Sequence, residues 1–308
     1  MKDFLPLVET VHYRAVNVPS GDLRVSIVAS CNMRCVYCHN EGQGAFAVRR
    51  LSLDQVRTIV ERALPYGVRK VRLTGGEPLL HPQILEISEM LKHELAVPSV
   101  GVNTNGTRLP VLIEMYQRGL LDQIVVGLDY FDGAVSKQSP IGLSSAAVRS
   151  NVRALSDAGA NVQIAMVFDG DVPNVMRMAR WCMNHDVLLK ILEESGEDIA
   201  ANSTPKFRSM FLQVIEQFGL KVGVTADLGE LFGASDDGRT RILFFHSHCR
   251  VRECRQCANM HLRVTAEGRT RPCLLRDDTE FDLLGDDFDH NLRWAIHNLG
   301  VPPEKPAR

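Results

Sequence analysis

Cys31-Asn32-Met33-Arg34-Cys35-Val36-Tyr37-Cys38 is the stretch on which the reading of this chain turns: three cysteines spaced C-x3-C-x2-C, with an aromatic residue directly before the third. Three thiolates from one short loop can hold three corners of a cubic 4Fe-4S cluster, and no fourth cysteine lies nearby to take the last corner. One iron is then open to a ligand that is not protein. Zinc is a competing reading, but structural zinc takes two cysteine pairs, or a pair with histidines, and closes its coordination sphere. His39 follows Cys38 directly, where ring and thiolate reach one ion awkwardly. Plain burial of three apolar thiols is the remaining alternative.

Outward from the loop, the sequence alternates between strand and helix patterns. Leu23 to Val28 alternates as a strand and delivers the chain into the cysteines, after an irregular segment over residues 1–21 punctuated by Pro6, Pro19 and Gly21. A helix begins after Ser52, where Ser52 and Gln55 have capping-box spacing and Val56, Ile59, Val60 and Leu64 fall on one face. Strand-like runs at 70–74, 100–104, 124–128, 162–168 and 187–192 then alternate with helical stretches near 82–94, 110–118, 144–158 and 173–185. Strands separated by helices pair in parallel through right-handed crossovers. Closure takes eight such units. Six predict an α/β fold, an open partial (β/α)6 TIM-like barrel.

Catalytic groups in parallel barrels sit at the C-terminal ends of strands. Thr74-Gly75-Gly76-Glu77-Pro78 follows the second strand, where paired glycines let backbone approach a ligand and Glu77 offers a charged acceptor. Asn103-Thr104-Asn105-Gly106 ends the third strand and Gly127-Leu128-Asp129 the fourth. Each is also compatible with a simple turn.

The cysteine triad and the Gly-Gly-Glu run, in this order and one βα unit apart, resemble the radical S-adenosylmethionine (SAM) superfamily. The resemblance implies that SAM chelates the open iron, and that an electron from the reduced cluster cleaves SAM to methionine and a 5′-deoxyadenosyl radical. Cys31, Cys35 and Cys38 are then the catalytic cluster ligands. Tyr37, Gly75, Gly76, Glu77, Pro78, Asn103 and Asp129 fall at the cofactor-binding positions, the Gly-Gly-Glu run against the SAM amino group. Relatives often carry Thr where this chain has Asn103 and Ser where it has Gly127.

After residue 200 the βα rhythm fades. A helix is predicted at 206–218, followed by a second cysteine set, Cys249-x4-Cys254-x2-Cys257-x15-Cys273, with a hairpin between residues 262 and 273 turning at Glu267-Gly268. On spacing alone, four thiolates with one C-x2-C pair suit a closed zinc site. Together with the first motif, the C-x2-C pair, the Leu-Arg-Val-Thr-x-x-Gly hairpin and Arg271-Pro272-Cys273-Leu274 resemble the GTP 3′,8-cyclases, radical SAM enzymes of molybdenum cofactor biosynthesis. That closer resemblance implies a second 4Fe-4S cluster on Cys254, Cys257 and Cys273; Cys249 is a candidate fourth ligand that those enzymes lack. It also implies two domains, a radical SAM barrel over 1–200 and a twitch/SPASM-like auxiliary-cluster domain over 201–308. Arg24, Lys70, Arg72, Lys190 and Arg263 match positions that grip the substrate there, and Arg and Lys around a cavity suit phosphate or carboxylate; solvated strand ends are the alternative. Lys190 and His261 stand where arginines are usual, and a C-terminal Gly-Gly is missing. If Cys249 closes the second cluster, substrate cannot bind its iron.

Composition narrows the function. The chain has 308 residues, 45% hydrophobic and 23% charged, with a formal net charge of −2, so nothing in the overall charge suggests general attraction to nucleic-acid backbone. No run approaches the roughly 20 apolar residues of a membrane span, and no signal-peptide segment opens the chain. Of eight cysteines only Cys182 lies outside the two clusters, in a helical run where it reads as a small buried hydrophobe. The expectation is a cytoplasmic enzyme without nucleic-acid or membrane partners, reduced by a protein such as flavodoxin or ferredoxin. Its expected substrate is a small anion: a nucleoside, nucleotide or sugar acid of natural-product biosynthesis, decarboxylated or rearranged after hydrogen abstraction at a sugar carbon. GTP 3′,8-cyclisation, peptide modification and a non-catalytic metal-binding role are the alternatives.

Overall fold

A computed structural model describes residues 17–35, 37–38, 49–133, 144–193, 203–225, 230–246, 261–274 and 279–301. Six βα units form as the periodicity requires. Strands β1 (Asp22–Val28), β2 (Lys70–Gly75), β3 (Ser99–Thr104), β4 (Gln123–Gly127), β5 (Val162–Phe168) and β6 (Leu188–Glu193) alternate with helices α1 (Leu53–Ala63), α2 (Ile84–Glu89), α3 (Leu109–Gln117), α4 (Ser145–Asp157) and α5 (Val172–Asn184). The Ser52–Gln55 capping box is present in both directions and starts α1. Helix α2 runs on into a π-turn, Met90–Glu94, which ends in the π-type bond from Leu95 N to Met90 O.

The C-terminal third extends this sheet on both edges. Helix α6 (Ser203–Phe218) leads to a meander of β7 (Lys221–Val224), β8 (Leu231–Ala234) and β9 (Thr240–Phe245), and the chain continues through β10 (Leu262–Val264), β11 (Arg269–Thr270), β12 (Phe281–Asp282) and α7 (Phe288–His297). The strand order is β12-β11-β10-β1-β2-β3-β4-β5-β6-β9-β8-β7. The run from β10 to β9 is parallel throughout, while the outer strands at each end pair antiparallel. The sheet is thus an open arc whose parallel part is two strands longer than the six units alone. It runs unbroken from β6 to β9, across residue 200.

Alternation along the strands divides the sheet into an apolar and a polar face. Leu23, Val25 and Ile27 of β1 and Val71 and Leu73 of β2 are fully buried in the core beneath the helices. Alternate positions, Asp22, Arg24 and Ser26 on β1 with Lys70, Arg72 and Thr74 on β2, lie on the opposite, concave face. Burying the first set at ~25 cal/mol per Å2 drives assembly; a lumen of polar side chains contributes nothing comparable and is what a site for a polar ligand needs. Cys182 is fully buried on α5, where burial raises its thiol pKa, as its helical surroundings suggest. Among the described residues no helix is long and apolar enough to cross a membrane.

Candidate active site

Strand β1 is clamped where it hands over to the cysteine loop: Leu51 N donates to Ile27 O and Ala29 N to Arg49 O. Within the loop, Met33 N points at Cys31 Sγ at 3.3 Å, and Cys38 N closes a turn onto Cys35 O. Cys31 keeps a face open to solvent, yet the protein around it pushes its thiol up to about 11, and negative charge on Glu77, Cys38 and Cys35 adds to the shift. Three thiols within one another's electrostatic reach resist ionising together. A metal cluster removes that resistance by supplying positive charge, so the donor set fits a cluster held by Cys31, Cys35 and Cys38.

Tyr37 ties this loop to the barrel. Its hydroxyl donates to Asp129 Oδ2 at the end of β4, and burial followed by the Asp129 charge raises its pKa. Asp129 is itself fixed, accepting from Val167 N at 3.0 Å while Asn174 Nδ2 bonds its carbonyl at 2.6 Å. In this structure Asp129 therefore positions the loop through Tyr37 and braces β5.

The Gly-Gly-Glu run lies against the chain entering the cysteine loop. Gly76 N donates to Val28 O and Glu77 N to Ser30 O. Gly75 has φ +141°, and a Cβ there would lie 2.0 Å from Val28 O; at Gly76 it would lie 2.2 Å from Ser30 O. The glycines thus let two protein backbones touch, in addition to any approach by a ligand. Glu77 is 1% exposed, and its carboxylate accepts from Leu79 N, Thr104 Oγ1 and Asn105 N at 3.1, 2.7 and 2.8 Å. Burial outweighs these bonds and lifts its pKa to about 7. Pro78, also buried, opens the short turn Pro78–Leu80 capped by that carboxylate. The Glu77 side chain staples the β2 loop to the β3 loop, and what faces a ligand from this run is backbone.

Asn103 lies on the concave face with its buried Oδ1 lacking a hydrogen bond among the described residues. Asn105 reaches the cysteines: its Nδ2 is 2.7 Å from Asn32 Oδ1 and 3.9 Å from Cys31 Sγ, and Asn32 Nδ2 donates to Thr107. Asn32, Thr104, Asn105 and Asn174 were not among the expected site residues. For Asn32, Thr104 and Asn105 a polar side chain within a loop motif was the available signal, and Asn174 in the first turn of α5 gave none; the partners of all four are far away in sequence.

Deeper in the lumen, strand register aligns Arg263, Arg24 and Arg72 in one row across β10, β1 and β2, continued by Gly101 and Gln123. Arg72 Nε lies 2.9 Å from Asp22 Oδ2. Lys190, on the concave face of β6, is pulled down to about 7, first by burial and then by Arg72 and Arg24. Since Gly101 has no side chain, the row opens beside it into a cavity of about 250 Å3 lined by Lys70, Arg72, Ser99, Gly101, Asp122 and Gln123. All five expected substrate-gripping cations therefore belong to the inner strands. Arg271 adds a sixth cation beside them, its N–H bonded to Arg263 O and its guanidinium paired with Glu280.

Cys273 follows Arg271 at the end of the expected hairpin, whose turn at Gly268 has φ +78°. Cys249, Cys254 and Cys257 lie outside the described residues.

The sequence profile of the Radical SAM superfamily matches residues 25–182, just over half the chain. A "Probable GTP 3′,8-cyclase" of Methanococcus maripaludis is 27% identical over 304 residues, covering 89% of this chain and 93% of its own length. Another of Thermococcus kodakarensis is 29% identical over 280 residues, covering 86% and 88%. Among solved structures, Streptococcus suis SuiB bound to S-adenosylmethionine superposes with TM-score 0.65 at 13% identity, over 91% of this chain and 64% of its own; this chain thus spans slightly less than two thirds of that one. The anSMEcpe structure with bound AdoMet gives TM-score 0.62 at 13% identity, over 90% and 82%. Profile, relatives and fold agree with a cysteine loop built to hold a cluster: the chain belongs to the radical SAM superfamily, as an enzyme of radical chemistry whose cofactors are SAM and a 4Fe-4S cluster.

Proposed function

We propose that this enzyme binds a small anionic substrate, a nucleotide, nucleoside or sugar acid, in the barrel lumen and abstracts hydrogen from one of its sugar carbons. The observation that carries the reading is the row Arg263–Arg24–Arg72 with Lys190 facing it, against which the lumen sets the Asp22 carboxylate. Guanidiniums fixed on strands grip phosphate or carboxylate with little reorganisation, and they do so away from solvent screening.

The cluster and SAM together supply an electron transfer that cleaves SAM and yields the 5′-deoxyadenosyl radical. The chain's own residues arrange the reactants. Cys31, Cys35 and Cys38 hold the cluster, and Tyr37 on Asp129 sets the height of their loop over the barrel mouth. The backbone of Gly75 and Gly76, held by Glu77 against Thr104 and Asn105, presents carbonyls to the SAM amino group, while Pro78 fixes the turn behind it. Asn103 and the β4 end flank the same mouth. Arg24, Lys70, Arg72, Lys190 and Arg263 hold the substrate's anion below, so that its sugar points up at the mouth. Cys254, Cys257 and Cys273, with Cys249 as a candidate fourth ligand, would hold the second cluster, and a flavodoxin or ferredoxin would supply the electron.

GTP 3′,8-cyclisation is a second reading, favoured by what the relatives are named over 86–89% of this chain. One experiment tests both. The anaerobically reconstituted enzyme is reduced with dithionite and SAM, and 5′-deoxyadenosine is counted with GTP and with a panel of nucleotides, nucleosides and uronic acids. Stimulation by one anion, lost in Arg24→Ala and Arg72→Ala, supports the lumen; stimulation by GTP alone selects the cyclase. Stimulation by none of these anions rejects both. Iron and sulfide counting on the same material, with Cys254→Ala as comparison, decides between two clusters and a zinc site.

A further inference from the structure

The lumen cations are of two kinds. Arg24, Arg72 and Arg263 are guanidiniums, charged at any pH a folded protein meets. Lys70 and Lys190 are amines, of which Lys70 stands exposed at the start of β2 and Lys190 is half-buried on the concave face of β6. Lys190 is flanked in register by Ala165 of β5 and Leu243 of β9, neither of which bears charge. The next concave-face residues are Gln163 and Val167 on β5, Leu188 and Leu192 on β6, and Arg241 and Phe245 on β9; Arg241 is held by Asp186 and Asp237. Across the lumen Lys190 faces Arg72, Arg24 and Lys70, and the carboxylate that acts on it most, Asp22, is already engaged by Arg72.

A further positive charge in such a place is opposed by both burial and its neighbours, and only the amine can respond by losing its proton. We propose that Lys190 is a proton-coupled anion latch, giving up its proton readily while the lumen holds no anion and holding it when a phosphate or carboxylate enters between it and Arg24 and Arg72. The proposal rests on the reading of the lumen as the substrate site. The balance is proton uptake from solvent onto Nζ on anion binding, about half a proton per anion at pH 7, where the free amine is half-titrated, and approaching one above it, with no other bond made or broken. A dianionic phosphate neutralises more of the surrounding charge than a carboxylate does and closes the latch more completely, so Lys190 selects phosphorylated ligands. An arginine here would bind the same anion without proton uptake.

The test is competitive acetylation of the anaerobic holoenzyme with acetic anhydride across pH, read by mass spectrometry of the Lys190 peptide against the exposed Lys206. Lys190 labelling should reach half its plateau near pH 7, where the amine sits at about 7, well before that of the exposed reference lysine. Sulfate should move the Lys190 midpoint up by at least about one pH unit. In parallel, nucleoside triphosphate affinity in the wild type should fall about tenfold per pH unit above the midpoint relative to Lys190→Arg, a comparison in which the ligand's own titration cancels. Lys190 labelling that tracks Lys206, or a midpoint indifferent to sulfate, overturns the latch, as does identical pH dependence in wild type and Lys190→Arg. A midpoint that responds to sulfate while nucleotides fail to bind leaves the latch standing and rejects the nucleotide reading.

Discussion

Gly76→Ala is the sharpest test of how the cofactor loop is held. An alanine Cβ would lie 2.2 Å from Ser30 O, 2.4 Å from Ser30 C and 2.5 Å from Ala29 O. Carbon–oxygen contacts begin near ~3.3 Å, so the two segments must separate by about 1 Å. All three obstructing atoms are backbone, which cannot swing aside as a side chain would. Separation breaks the bonds from Gly76 N to Val28 O (2.7 Å) and from Glu77 N to Ser30 O (2.9 Å). Each is worth about 1 kcal/mol net, and overpacking adds ~1–3 kcal/mol, for a loss of about 3–5 kcal/mol. The displaced segment leads directly to Cys31, so iron retention should fall with stability. The assay is urea unfolding with iron counting on the same preparation. Gly127→Ala is the companion, because its Cβ meets nothing closer than Thr104 O at 3.8 Å; it should stay within ~0.5 kcal/mol of wild type. If Gly76→Ala unfolds within about 1 kcal/mol of wild type and keeps its iron, the glycines do not serve backbone contact, and a ligand-facing role is the better account.

Lys190→Met should stabilise the anion-free protein by about 3 kcal/mol at pH ~8, measured by urea unfolding. The sign follows from the lowered amine pKa: between about 7 and 10.5 the unfolded chain binds a proton that the folded one does not, so wild-type stability rises with pH across that window and the mutant's advantage shrinks toward pH 10.5. A constant advantage at every pH would mean better packing instead. Tyr37→Phe should leave the fold intact but loosen the cysteine loop, costing ~1–3 kcal/mol at the Asp129 carboxylate and speeding loss of the cluster signal in air, followed by electron paramagnetic resonance. Thr104→Val removes a 2.7 Å bond to the buried Glu77 carboxylate and should cost ~1–3 kcal/mol. Adding Glu77→Ala to Thr104→Val should then cost less than Glu77→Ala alone, and full additivity would show that the two side chains are not coupled.

The βα part of the fold was legible because each unit carries its own signal: a 2.0 or 3.6 period, and in α1 a capping box at Ser52. Strands β7 and β8 were not, since Lys221-Val-Gly-Val is four residues long and largely exposed, and its identity as a strand comes from its partner. The pairing of β10 with β1 was invisible for a different reason: nothing local to Leu262–Val264 names a partner near the other end of the chain. At the site, residue types pointed to the cysteine triad and the Gly-Gly-Glu run, and their placement on the barrel mouth follows from topology. The staple from Glu77 to Thr104 and Asn105 was hidden, because two loops 27 and 28 residues apart meet only once the sheet exists. Lys190 was read as a binding cation; its altered ionisation depends on neighbours contributed by other strands.

The β1–β10 ladder also bears on how the chain is made. As the polypeptide leaves the ribosome, β1 through β6 emerge in the order in which they pair, so that most of the arc can assemble during translation. β1 must wait on one side until Leu262–Val264 is synthesised, and through that interval its outer edge is an unsatisfied template for any other extended segment. A nascent chain stalled before residue 262 would thus combine a nearly complete barrel with one adhesive strand, and slow translation of the last third would favour aggregation over loss of local structure.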